Sequence, residues 1–111
     1  MTEISKSDWK MYCEKVPEWQ ERYMAKLLDR YIKLLKEKDK DPSERFWKLE
    51  ERIKKDKASP GVRLRLDKNE AVYDLRAMIR GKVITIEDLE DFSDELKTTV
   101  KELIDNDLVF Y

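Results

Sequence analysis

The side chains of this sequence that could do chemistry are carboxylates, cations and phenols. Its 111 residues include 25 Asp and Glu, 24 Lys and Arg and five Tyr, with no His and a single Cys. The densest acidic run holds Glu87, Asp88, Glu90, Asp91, Asp94 and Glu95. Carboxylates that close together could hold Mg²⁺ or divide acid and base roles between them. Here they fall in the first turns of two successive helical segments, where the helix dipole already favours negative charge. A solvated or charge-paired face accounts for them. A surface imitating nucleic-acid charge is permitted by the same acidity but not favoured by it.

Other chemistries are excluded by what is missing. Without His, and with Cys13 alone, the chain cannot by itself assemble the usual zinc or haem site, nor a Ser-His or Cys-His nucleophile. Its two glycines cannot build a Gly-rich phosphate loop. The stretch from Gly81 to Glu87 has the glycine and the glutamate of half an EF-hand loop. The first, third and fifth ligand positions would then be Arg76, Met78 and Arg80, and two guanidiniums repel calcium. We therefore expect no catalytic residue, no metal and no cofactor, and a protein that is not an enzyme.

Charge is distributed unevenly along the chain. Residues 52–82 carry ten Lys or Arg against four acids, a net of +6, and residues 83–111 carry nine acids against two lysines, a net of −7. The overall charge of −1 conceals this division. Within the basic segment, Tyr73, Arg76 and Arg80 fall on one stripe of a helix, away from its apolar positions. Arg63, Arg65 and Lys68 precede them. An aromatic ring beside guanidiniums can stack a base and neutralise phosphates. The same stripe could equally be solvated, or could pair with the acids downstream.

The aromatics gather early: Trp9, Tyr12, Trp19, Tyr23, Tyr31, Phe46 and Trp47 all lie in the first 47 residues. Most have helical spacing and read as core. Trp47 lies about 100° from Phe46 on a helix, off the face formed by Phe46, Leu49 and Ile53, and Trp19 sits at the margin of its own apolar arc. Tryptophan is enriched where binding energy concentrates. Trp19, Trp47, Phe110 and Tyr111 are thus the candidate protein-binding residues.

Helix signals position nearly all of these groups. Ser5 or Ser7 can cap a short first helix carrying Trp9, Tyr12 and Cys13. Pro17 suits the first position of a second helix to about Lys38. Its apolar positions Tyr23, Met24, Leu27, Leu28, Tyr31, Leu34 and Leu35 follow i, i+3, i+4 spacing. With Trp19 and Ile32 added, the arc exceeds half the circumference, which predicts a helix surrounded by the others. Asp41-Pro42-Ser43-Glu44 starts a third helix burying Phe46, Leu49 and Ile53. Val62 to Leu66 alternates without a partner strand and reads as irregular or a helical turn. Asp67 and Glu70 open a helix that ends at Arg80, with Gly81 placed for a left-handed stop. Thr85 begins another, with Ile86, Leu89 and Phe92 inward, and Ser93 starts a last one to about Asp105. The expected fold is all-α: one compact domain, residues 1–111, of five to seven short helices around a long central helix.

The polar start and the lack of any run of about 20 apolar residues predict no signal peptide and no membrane span. The lone Cys13 suits a small, partly buried position and a reducing cytoplasm. At the level of VPEWQERYMAKLLDRYIKLL, FWKLEERIKKDKASPGV and VITIEDLEDFSDELK, the chain resembles small uncharacterised helical proteins of Gram-positive bacteria and their mobile elements. Some of that group carry a multidrug-transporter label, which the composition opposes, and the resemblance implies no functional residues. Two functions follow from the residues: a protein-interaction or regulatory module, with self-association or a protein partner, or a nucleic-acid binder using residues 52–82.

Overall fold

The computed structural model describes residues 4–109. Helix α1 spans Lys6–Leu35, and the Ser5 side chain caps it by accepting the Asp8 N–H at 3.1 Å. Pro17 lies inside this helix rather than at the start of a second one. An interior proline costs about 3 kcal/mol. However, Tyr12, Val16 and Trp19 form one buried stripe running past Pro17, and each such side chain contributes roughly 1.5–3 kcal/mol on burial. Tertiary packing outweighs the local break.

Three further α-helices follow: α2 at Pro42–Asp56, α3 at Ala71–Arg80 and α4 at Asp94–Val109. Short 3-10 turns occupy Lys68–Glu70 and Ile86–Leu89. No strand occurs among the described residues, and residues 63–67 are irregular. The described residues are therefore all-helical, with four α-helices and two 3-10 turns in place of the five to seven short helices expected. The core joins the first half of α1 (Ile4 just before it, then Tyr12, Val16, Trp19) to α3, the 83–92 segment and α4.

Only half of the long helix is surrounded. Beyond Trp19, the buried residues of α1 are Leu27 and Leu34, which face α2. The second half of α1 and α2 thus form an antiparallel hairpin, the arm, projecting from the body. The radius of gyration is 16.9 Å, against about 13 Å for a spherical domain of this length. The arm contradicts two expectations. No residue of α2 is buried: Phe46 and Ile53 are exposed and Leu49 is half-covered. Outside α2, no second layer among the described residues receives them.

Two helix ends also differ. Gly81 has φ −82° and the left-handed residue is Lys82, at φ 61°. The Val83 N–H reaches the Met78 carbonyl at 2.8 Å and the Lys82 N–H reaches Ile79 at 3.1 Å, the paired bonds of a Schellman stop. Burial of Val83, on the far side of that stop, fixes its position one residue later than the glycine. Ile86 is exposed rather than inward, because the segment is a 3-10 turn that buries only Leu89.

Candidate functional site

Buried polar contacts hold the body together. The Asp8 carboxylate, almost fully buried, accepts the Ser93 backbone N–H at 3.0 Å and the Ser93 hydroxyl at 2.5 Å. That hydroxyl also caps α4 by accepting the Leu96 N–H. Tyr12, fully buried, donates its phenol to Asp74 at 3.2 Å. Burial raises both groups. For Tyr12 the adjacent Asp74 charge adds to it. For Asp74 the Tyr12 bond opposes the rise, while Glu70 and Asp67 reinforce it. With the phenol held protonated and the carboxylate committed to it, this pair is a structural tie.

The acidic segment lies partly against α1. Asp88 makes a two-pronged pair with Arg22, at 3.1 Å and 2.8 Å, and accepts the Thr85 N–H at 2.8 Å. Burial would raise its carboxyl, but Arg22 and the Thr85 N–H outweigh that and hold it below the usual carboxylate range. Asp91 stands 3.7 Å from Lys15. Among the described residues, no cluster of His, Cys, Asp or Glu could hold a metal ion, and no helix is long and apolar enough to cross a membrane.

The arm is positioned by contacts along its length. Arg45 donates to the Leu35 carbonyl at 2.6 Å and Tyr31 donates to Asp56 at 2.5 Å. Nearer the body, Gln20 donates to the Pro60 carbonyl at 3.0 Å, and Gly61 packs directly on the Tyr23 ring. Burial, the bond to Asp56 and the Asp56 charge push the Tyr31 phenol up to about 12.

The two sides of this hairpin differ. On α1, Met24, Leu28, Ile32 and Leu35 lie within an arc of roughly 80°, turned about 90° from the Leu27–Tyr31–Leu34 stripe that meets α2. On α2, Phe46 and Ile53 are turned about 90° in the same sense from Arg45, Leu49 and Asp56. Because the helices are antiparallel, equal rotations bring both sets to one side. The opposite side carries Arg30, Lys48, Glu51, Arg52 and Lys55, which line one groove with Tyr31 and Asp56. All six apolar side chains are exposed, Leu28 at 57% and Phe46 at 60%. Phe46, Leu49 and Ile53, with Glu50, Lys54 and Lys57, border an open hollow of about 480 Å³.

Among the sequence-derived candidates, Trp47 is 63% exposed at the edge of this face, its ring 4.9 Å from Phe46 in a T-shaped contact. Trp19 is not a surface residue. It is 4% exposed and packs against Phe92 at 6.2 Å between ring centres, because the acidic segment folds over the margin of the α1 arc. Phe110 and Tyr111 lie outside the described residues. The basic candidates do not form one surface with Arg52–Lys57, which belong to the arm. Arg63 and Arg65 are exposed on the irregular return segment, Lys68 is half-buried, and Arg80 is exposed at the end of α3. Tyr73 is exposed with the Arg76 guanidinium 5.5 Å above its ring.

Met24, Leu28, Ile32 and Leu35 were not expected at the surface. Their signal was the apolar arc of α1, too wide for the partners available to cover it. Comparison with family models, with curated proteins and with solved structures finds no match to this chain.

Proposed function

We propose that this chain is a non-enzymatic protein-interaction or regulatory module of the cytoplasm, and that its contact surface is the apolar side of the arm. The observation supporting this is the alignment of six exposed large apolar side chains, from two helices, on one side of one hairpin. Taking about 200 Å² for a fully exposed large side chain, their exposed fractions amount to roughly 600 Å². That is the upper end for the largest apolar patch of a typical monomer, about 300–600 Å². Trp47 and the hollow beside Phe46 would give a partner an anchor and a receptacle.

The test compares two variants of opposite sides of the arm. Phe46→Glu should abolish association, measured by light scattering and by capture from a nuclease-treated extract, with helicity kept. Reversal of Arg52 and Lys55 should leave that association in place. Equal effects from both sides would refute the reading.

A second reading, nucleic-acid binding, draws on the exposed Tyr73 ring under Arg76. It predicts retention of DNA or RNA at low salt with a steep loss as salt rises. Tyr73→Ala should weaken that retention without changing association through the arm.

A further inference from the structure

We infer that the occupant of the apolar side is a second copy of this chain, joined through a two-fold axis that sets the two arms antiparallel and face to face. This rests on the reading of the arm as a contact surface and adds the identity of the partner.

The order of residue types along the open side of α1 favours this arrangement. Reading toward its C-terminus, that side carries Lys10, then Glu14, Glu18 and Glu21, then the apolar stretch Met24 to Leu35, then Lys36, after which the loop residues 37–41 alternate acid and base. Acid, apolar and base in that order match themselves only when reversed. A two-fold axis beside Leu28 places Glu21 of one copy opposite Lys36 of the partner copy, and the small Ala25 opposite the larger Ile32. Glu21, Ala25, Ile32 and Lys36 are all exposed.

The second helix agrees with the same axis. The contacts Gln20–Pro60, Tyr23–Gly61 and Leu35–Arg45 set the register of the hairpin. With Tyr31–Asp56, they place Leu28 within about one turn of Ile53. An axis there brings Glu50 opposite Lys57 of the partner copy. The two helices therefore favour one arrangement, whereas laying α1 in parallel on α1 of the partner copy would set acid against acid and base against base.

The area is also sufficient. Two apolar sides of roughly 600 Å² give about 1,200 Å², the lower bound of a specific interface. The flanking Glu21, Lys36, Glu50 and Lys57 extend it toward the standard size of about 1,600 Å². An isologous contact of this kind closes on itself, because each apolar side is covered once and none remains to recruit a third copy.

Sedimentation equilibrium of the full chain tests this. The wild type should show a concentration-dependent dimer, and Leu28→Glu, which puts two carboxylates beside the axis, should raise the dissociation constant at least about a hundredfold. Glu21→Lys and Lys36→Glu should each weaken the dimer about five- to tenfold, since each breaks two symmetry-related pairs. An equimolar mixture of these two variants should recover wild-type affinity, because every contact between unlike copies is again of opposite sign. A dimer indifferent to Leu28→Glu, or a mixture no tighter than either variant alone, would overturn the arrangement. A chain that stays monomeric yet loses capture of another protein on Phe46→Glu would overturn the inference and leave the interaction reading standing. A monomer with no such capture would overturn both.

Discussion

Replacing Gly61 by alanine probes the seat that returns the chain from α2 to the body. A Cβ built on Gly61 would lie 2.4 Å from Cδ2, 2.8 Å from Cγ and 2.9 Å from Cε2 of the Tyr23 ring. Carbon atoms prefer about 3.5–4.0 Å, so the ring would have to retreat by about 1 Å. The contact includes Cγ, next to the backbone of α1, so no rotation of a distant tip relieves it. Overpacking of this kind costs about 1–3 kcal/mol. Gly61 has no positive φ, so alanine adds no backbone strain and would otherwise gain about 0.4–1 kcal/mol through the unfolded chain. The net expectation is a loss of about 1–2 kcal/mol. Urea unfolding followed by circular dichroism should show a lower midpoint with an unchanged slope. In a Tyr23→Ala background the same substitution should be neutral or stabilising, a coupling of about 1–3 kcal/mol in the double-mutant cycle. If Gly61→Ala alone matched or exceeded the wild type, the ring contact would not be what requires glycine there.

Three other outcomes follow from the described contacts. Lys82→Gly should stabilise by roughly 1 kcal/mol, because the left-handed conformation penalises a side chain; a lower melting temperature would show that the Lys82 side chain matters more than its backbone. Ser93→Ala should cost about 2–3 kcal/mol by removing the α4 cap and leaving the buried Asp8 carboxylate short of a donor, and urea titration would read it. Tyr31 gives the arm an alkaline limit. Its phenol is raised from 10.0 to about 12, so its contribution is fully present below about pH 10 and is lost as pH rises through 12. Tyr31→Phe should shrink that step in the urea midpoint, leaving the part due to the likewise raised Tyr12, and an unchanged profile would refute it.

Helicity was legible in the sequence because apolar spacing and caps agree along most of the chain. Ser5, Asp67, Thr85 and Ser93 all stand at or beside the helix and turn starts that they mark. Legibility failed where two local signals competed with packing. Pro17 marks a helix start in isolation, but the stripe through Tyr12, Val16 and Trp19 continues across it. Gly81 is the residue best suited to a left-handed stop, but burial of Val83 moves that stop to Lys82. Burial in the arm failed for a different reason. Periodicity says that Phe46 and Ile53 share a face and cannot say whether anything covers it. Trp19 went the other way, because its cover, Phe92, lies far along the chain. Trp47 stayed exposed since its direction on α2 points away from α1 altogether.

The reach of the contacts separates the two parts of the molecule in time. Within the arm, Leu35 meets Arg45 and Tyr31 meets Asp56, partners 10 and 25 residues apart. In the body, Tyr12 meets Asp74, Arg22 meets Asp88 and Asp8 meets Ser93, partners 62, 66 and 85 residues apart. Short loops close early and at small entropic cost, while distant pairs must wait. On a chain emerging from the ribosome, the hairpin can form once residue 57 is clear of the exit tunnel. The Asp8 clasp needs Ser93 and the start of α4. The arm therefore presents its apolar side before the body exists.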